Sequence, residues 1–198
     1  MAYPLCWRAQ LHSKASEYHR ESPIYGKHTM TDHDPAAILR AVLSGYALPL
    51  RGAHGVAHWA RVTEIGLRLA ELTGADAEVV ALFALFHDAR RVNEYDDPGH
   101  GLRGADLART LRGSLVHLDD ERFDLLHEAC RRHTDGQISK QSTIQACWDA
   151  DRLDLGRVGI VPRLARLGSD AARSLLPWAY GRAIHGYEPP MVLGEWGC

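Results

Sequence analysis

Several features that mark secreted, membrane-bound or disulfide-rich proteins are absent from this sequence. Its 198 residues include only four cysteines, which show neither C-x-x-C spacing nor the density of a disulfide scaffold. No apolar run reaches membrane-spanning length, and the residues before Met30 are polar rather than signal-like. We therefore expect reduced thiols in a cytoplasmic protein that is neither secreted nor inserted into a membrane.

Excess positive charge and common catalytic motifs are also missing. The formal net charge is -2, with 24% charged residues, so the composition predicts no extended nucleic-acid footprint. A small anionic ligand, which needs only a few local arginines, is still compatible with it. The chain has no Gly-rich phosphate loop and no G-x-S-x-G motif, which argues against the usual phosphate-loop and serine-hydrolase sites.

What the sequence does contain is helical periodicity. With 45% hydrophobic residues, a chain of this length is expected to form one domain with one core. Residues 1–30 lack periodicity and predict a loosely ordered tail, and Met30, directly before the first helical pattern, is an alternative start of translation. No alternating strand pattern of any length is present. The predicted fold class is therefore all-α, with the domain spanning residues 31–198.

Capping residues and breaks divide this domain into predicted helices. Asp34 followed by Pro35 is typical of a helix start, Gly74 of a helix end, and Asp76 of an N-cap. The helices after the first are predicted at His58–Thr73, Val79–Phe86 (a buried strand being the alternative), Leu102–Leu111, Asp119–Arg132 and Ser142–Leu155. In the first of these, the apolar face is predicted to hold Val62, Ile65, Leu69 and Leu72, and the polar face Arg61, Glu64, Arg68 and Glu71.

The stretch ALFALFHDARR carries the strongest chemical signal. An apolar helix runs directly into His87 and Asp88, whose imidazole and carboxylate suit a divalent ion and are costly to bury without a partner. A helix C-cap with a satisfied histidine is the alternative reading of this pair alone. Further candidate ligands near helix ends or on helices are His58, His100, His133 and Asp151. A polar loop from Arg90 to Gly101 lies between them and is a candidate functional segment.

In this order, the motifs resemble the HD superfamily of metal-dependent phosphohydrolases. HWARV at His58 is similar to the opening motif of that family, FALFHDARR to its central helix, and DADRLDLGRVG to its closing aspartate helix. The resemblance covers residues 52–159 and leaves residues 160–198 as a C-terminal wrap. It implies an HD-type helical bundle around a metal site.

The resemblance also implies which residues bind metal. His58, His87, Asp88 and Asp151 would hold the first ion, and Asp88 would bridge to a second. HGLRGA at His100 and HTDG at His133 look like the insertions of two-metal members, with a loop histidine and a helix-end cation as their alternative readings. The expected cofactor is one or two divalent ions of manganese, iron, zinc, cobalt or magnesium. His54 and His127 are expected to be structural or to support a ligand.

The sequence departs from the family after the HD pair. Arg91 occupies the place of a lysine, and its guanidinium can grip a phosphate through two hydrogen bonds. Arg61 and Arg103 either add positive potential at the pocket, as substrate-binding residues, or are solvated at the surface. Asp88 and Arg91 are the predicted catalytic residues.

These expectations lead to a phosphohydrolase that cleaves a nucleotide or another small phosphate ester with a metal-activated water. The alternative is a di-iron oxygenase of the same superfamily, which cleaves a C–C or C–P bond with the same six ligands. A non-catalytic binding protein is the third reading. Aromatic residues near the C-terminus are candidates for a homodimer interface: Trp178, Tyr180, Tyr187 and Trp196.

Overall fold

The computed structural model describes residues 33–198, and this part of the chain is helical. It contains no β-strand, only an isolated bridge between Arg112 and Val116, so the predicted all-α fold class is confirmed. The α-helices are α1 Pro35–Leu43, α2 Val56–Thr73, α3 Ala77–Phe86, α4 His100–Thr110, α5 Asp120–Arg132, α6 Ser142–Leu153 and α7 Asp170–Ile184. Short 3-10 helices cover Leu155–Val158 and Leu164–Arg166. The predicted tail 1–30 and the start at Met30 lie outside the described residues.

Helix α3 is at the centre of the bundle. Every residue from Val79 to Phe86 is buried, and a helix that is apolar on all sides has to be covered on all sides. It accordingly lies against α1, α2, α4, α5 and α6. The end of this helix, where His87 and Asp88 follow, is thereby held in the interior of the molecule.

The predicted helix starts depend on side-chain caps. The carboxylates of Asp34, Asp76 and Asp119 accept hydrogen bonds from backbone amides in the first turns of α1, α3 and α5. Gly74 ends α2 in the left-handed conformation, with φ of 69°. Helix α4 begins at His100, two residues earlier than the pattern predicted, so His100 occupies its first position.

The faces of α2 differ from the periodic prediction at two positions. Leu72, assigned to the apolar face, is 61% exposed, whereas Arg61, assigned to the polar face, is buried. Leu72 lies in the last turn of α2, next to the helix end at Gly74. Arg61 can be buried because its guanidinium pairs with a buried carboxylate, that of Asp154.

The C-terminal segment covers the outer side of α2 and α6 with helix α7. Trp178 and Tyr180 are buried within the chain, so these two aromatic side chains contribute to the core. A homodimer formed through the remaining aromatic residues stays a prediction. Within residues 33–198, no helix combines the length and the apolar character needed to cross a bilayer. Cys130, Cys147 and Cys198 are free thiols.

Two glycines let α4 approach its neighbours closely. A β-carbon at Gly101 would clash with the carbonyl oxygen of Cys130 in α5, and one at Gly104 would clash with the carbonyl oxygen of Phe86 at the end of α3. This approach brings His100, at the start of α4, against the end of α3. The glycines of α4 are therefore part of what positions the site.

We expect Gly104→Ala to lower the free energy of unfolding by about 1–3 kcal/mol, because the added methyl overpacks the contact with Phe86. In an unobstructed helix interior the same change stabilises by about 0.5–1 kcal/mol. Chemical denaturation measures the difference. The matched control is Leu102→Ala on the exposed side of α4, with an expected change within about 0.5 kcal/mol. A more stable Gly104→Ala protein would contradict the packing described here.

Candidate metal centre

The first group of predicted ligands comes from α2, the end of α3 and α6. The Nε2 atoms of His58 and His87 are 3.1 Å apart. Oδ2 of Asp88 lies 3.6 Å from Nε2 of His58 and 3.5 Å from Nε2 of His87. Oδ1 of Asp151 lies 3.5 Å and 3.9 Å from the same two nitrogens. Four side chains from three separate parts of the sequence thus converge on one point.

The second group shares Asp88 with the first. Nε2 of His100 and Nε2 of His133 are 2.9 Å apart. The other carboxylate oxygen of Asp88, Oδ1, lies 3.2 Å from Nε2 of His100 and 3.7 Å from Nε2 of His133. Asp88 therefore turns one oxygen towards each group, which is the arrangement of a bridging carboxylate.

The spacing of the donors fits divalent ions. Bonds of about 2.0–2.2 Å to imidazole nitrogen and carboxylate oxygen place neighbouring donors about 3.0–3.5 Å apart. The distances in both groups, from 2.9 to 3.9 Å, lie around this range. Nitrogen and oxygen donors of this kind suit zinc, manganese, iron or cobalt.

The hydrogen bonds of the four imidazoles support the same conclusion. Each Nδ1 faces an acceptor: Asp154 Oδ2 at 2.7 Å for His58, the carbonyls of Phe83 at 3.2 Å and Ala84 at 3.1 Å for His87, that of Asp97 at 2.7 Å for His100, and that of Cys130 at 2.8 Å for His133. An imidazole that donates from Nδ1 presents a lone pair at Nε2. Lone pairs that face one another within each group need a cation between them.

The charges at the centre are set by burial and by mutual contacts. Burial lowers the pKa of His87 to about 3, which keeps this ring neutral and able to bind metal. Burial alone would raise the pKa of Asp88, but His87 and hydrogen bonds from the other imidazoles lower the pKa well below its usual value. Burial opposes protonation of His133, but Asp88 outweighs it and raises the pKa of that ring. Either a proton or a metal cation at Nε2 of His133 would balance the negative charge of Asp88.

Asp151 is also held ionised. Burial acts to raise its pKa, but Arg157 and the nearby histidines lower the pKa to about 2. Both carboxylates of the centre are thus charged at neutral pH, which is the form that binds a metal ion.

Asp154 is a functional residue that the sequence analysis did not identify. It is fully buried at the end of α6 and orients His58 through the bond to Nδ1. Arg61 donates from Nε to its Oδ1 at 2.7 Å and from Nη2 to its Oδ2 at 3.1 Å. The remaining nitrogen of Arg61 donates to the carbonyl of Tyr187. Arg61 is therefore placed behind the ligands, and its predicted contact with substrate has no support in the structure.

The polar loop between α3 and α4 brings Arg91 to the centre. Its Nη1 lies 3.5 Å from Oδ1 of Asp88 and 3.1 Å from Nε2 of His100, while Nη2 donates to the carbonyl of Tyr95 at 2.7 Å. Arg103 has a different place: it donates to Asp97 Oδ1 at 2.5 Å and to the carbonyl of Arg90 at 3.0 Å. Arg103 thus fastens the loop to α4 and, unlike Arg91, does not line the cavity described next.

A cavity of about 560 Å³ opens in front of both ligand groups, a volume typical of small-molecule sites. Asp88, His100, His133 and Asp151 are at its surface. Thr134 also lines it, with its hydroxyl 3.4 Å from Nε2 of His100 and 3.3 Å from Nε2 of His133. The predicted ligands are therefore reachable by a substrate.

Arg157, which lies in the closing motif but was given no role from the sequence, also lines this cavity. Its Nε donates to the carbonyl of Ala53 at 2.8 Å. Nη2 lies 3.8 Å from Oδ1 of Asp151, and Nη1 lies 3.9 Å from Oδ2 of Asp154. Nη1 is buried and makes no hydrogen bond within residues 33–198. The carboxylate of Asp154 is thus within ion-pair distance of Nη1 but beyond hydrogen-bond distance.

The two weaker histidine candidates lie outside both groups. Nδ1 of His54 is 2.5 Å from Oε2 of Glu94, and His54 lines the cavity. His127 accepts from Arg109 Nη2 at 2.7 Å. These contacts agree with the expected structural or supporting roles, which stay predictions.

Part of the chain matches a known protein family. A family model described as HD domain matches residues 55–159, more than half of the 198 residues. No curated protein and no solved structure matches the chain significantly. The matched range contains every residue of the two ligand groups.

We expect Asp154→Asn to lower metal affinity about 10- to 100-fold, because His58 loses a charged partner and Arg61 is left buried without a carboxylate. Competition with a chromogenic chelator measures this affinity. Asp149→Asn is the matched control, since Asp149 is a buried carboxylate of α6 that contacts Gly168 and Ser169 instead. Equal affinity in wild type and Asp154→Asn would show that Asp154 does not support the ligands.

Elemental analysis should find two divalent ions per wild-type chain and one in His133→Gln, because only the second group loses a ligand. His127→Gln, a histidine substitution within α5, is expected to keep the wild-type content. If wild type and His133→Gln bind the same amount of metal, the second group is not a metal site.

Proposed function

The chain belongs to the HD-domain family, and from this membership we propose that it hydrolyses the phosphate ester of a nucleotide or of another small phosphorylated compound. The family is one of metal-dependent phosphohydrolases. The observation that carries the proposal is the position of Asp88 at the floor of the cavity, with one oxygen facing each ligand group.

The ligand groups would hold two divalent ions. His58, His87 and Asp151 would bind one, His100 and His133 the other, and Asp88 both. When bound, such a pair supplies hydroxide at neutral pH and positive charge for the phosphoryl oxygens. The hydrogen bonds at the four Nδ1 atoms orient the rings before any substrate arrives, so that binding requires little rearrangement.

Arg91 would bind the phosphoryl group that is cleaved. One side of its guanidinium is held by the carbonyl of Tyr95, and Nη1 is directed at Asp88 and His100. A guanidinium fixed in this way can donate to phosphoryl oxygens without losing much side-chain entropy. The loop that carries Arg91 is bound to α4 by the ion pair between Asp97 and Arg103. This contact keeps Arg91 next to His100.

A second candidate function rests on the composition of the same site. Four histidines and two aspartates also match the ligand count of a di-iron oxygenase that cleaves a C–C or C–P bond. The two proposals differ in the metal and in the product. Phosphate release with zinc, manganese or cobalt would favour hydrolysis, whereas oxygen consumption that depends on iron would favour the oxygenase.

The full chain, supplied with Mn²⁺, Co²⁺ or Fe²⁺, is expected to release phosphate from at least one substrate in a panel of nucleoside phosphates, sugar phosphates and p-nitrophenyl phosphate. Chelation should abolish the release, and added metal should restore it. Asp88→Asn is expected to lower kcat/KM on the order of 1,000-fold, because loss of the shared ligand removes several kcal/mol of transition-state stabilisation.

The control for that variant is Asp106→Asn, which removes an exposed carboxylate of α4 outside the cavity and should leave kcat/KM unchanged. No phosphate release from any compound, by protein that contains two ions per chain, would overturn the proposed function.

A further inference from the structure

The cavity is bounded on one side by residues 157–166, which follow α6. Three arginines of this segment line it, and we refer to Arg157, Arg163 and Arg166 as the arginine wall. Arg91 comes from a different element and contacts Asp88 and His100. The cavity is therefore lined by three arginines in addition to Arg91, which is the arginine that contacts Asp88.

Arg157 is the member of the arginine wall that also contacts the metal centre, through Asp151. Its side chain is 7% exposed, and its buried Nη1 has no hydrogen-bond acceptor in the described part of the chain. A guanidinium stays protonated in proteins, and a buried charged donor without an acceptor is unfavourable. Nη1 lies 3.9 Å from Oδ2 of the buried Asp154, so Arg157 directs its positive charge towards the metal centre.

Arg163 and Arg166 are exposed at the opening of the cavity, and their guanidinium groups form no ion pair or hydrogen bond within residues 33–198. Their backbone is nevertheless held in place. Arg152, which is buried, donates to the carbonyl of Arg166 at 2.8 Å and to the carbonyls of Gly136 and Gln137 in the loop before α6. By contrast Arg131, also at the cavity, is paired with Glu128 at 2.6 Å.

The charges of a single phosphate do not account for the arginine wall. Two divalent ions and Arg91 would together balance Asp88, Asp151 and one phosphate monoester with its attacking hydroxide. Asp96 and Asp135 also line the cavity, but neither lies within ion-pair distance of the arginine wall among the described residues. The wall therefore has cations left for a second anionic group.

We propose that the substrate carries a second phosphate group, separate from the one that is cleaved, and that Arg157, Arg163 and Arg166 bind it. The inference rests on the proposed phosphohydrolase function and narrows its substrates to nucleotides with more than one phosphate. Ile160, Val161 and Pro162 line the cavity between the arginines and provide apolar contact for the base or sugar of the nucleotide. Both an adjacent phosphate, joined to the first by an anhydride bond, and a phosphate on another carbon of the sugar fit this proposal, and the experiment distinguishes them.

Calorimetric titration of the full chain without added metal tests the arginine wall in the absence of turnover. Adenosine 5′-monophosphate, adenosine 5′-diphosphate and adenosine 3′,5′-bisphosphate are the probes. We expect at least one of the compounds with two phosphates to bind on the order of 10-fold more tightly than the monophosphate, as hydrogen bonds to charged groups predict. The diphosphate would identify an adjacent phosphate and the bisphosphate a separated one.

The variant Arg163→Ala/Arg166→Ala should reduce this preference to near unity. Arg157 is left in place because it contacts Asp151 and its removal would disturb a ligand. Arg132→Ala, which removes an exposed arginine paired with Glu128 outside the cavity, is the matched control and should keep the preference. With metal present, the ratio of kcat/KM between the preferred compound and the monophosphate should fall in the double variant by the same factor.

Two results would overturn the inference: equal binding of all three probes by wild type, or a preference that the double variant retains. A failure of the proposed function is distinguishable from either. In that case no probe releases phosphate with metal present, while the titrations without metal still decide whether the arginine wall binds a second phosphate.

Discussion

The centre of this protein depends on one buried carboxylate between four imidazoles. Asp88 is 2% exposed, and its two oxygens face different pairs of histidine nitrogens. The carboxylate reaches this position because α3 is apolar on every side and is surrounded by other helices. The hydrophobic effect thus places a charge in the interior, and the histidines around it make that placement tolerable.

The ends of two helices orient two of the histidine ligands. His87 and His133 follow the last residues of α3 and α5, and each donates from Nδ1 to a carbonyl of the final turn. Those carbonyls lack partners within the helix. One hydrogen bond therefore both completes a helix end and selects the tautomer that leaves Nε2 available for metal. This double role explains why two of the ligands lie directly after helices.

The sequence predicted the fold class, most helix boundaries and the residues that converge at the centre. The fold class and the helix boundaries depend on local patterns of caps and apolar periodicity, whereas the set of ligands followed from the resemblance of the ordered motifs to the HD superfamily. The supporting residues were not predicted, because their roles depend on contacts distant in sequence. Asp154 resembles an ordinary residue at the end of a helix until His58 and Arg61 of α2 are packed against it. Arg61 was likewise assigned to the polar face, because helical spacing alone does not reveal the distant carboxylate of Asp154 with which it pairs.

The shared use of Asp88 has a consequence for how metal would be acquired. An ion in one group withdraws electron density from the carboxylate that the other group also needs, and the two cations repel each other across it. Loading would then be anticooperative, with the second equilibrium weaker than the first. Such a protein would pass from a mononuclear to a dinuclear form over a broad span of metal concentration, so its metal content would rise gradually rather than in one step.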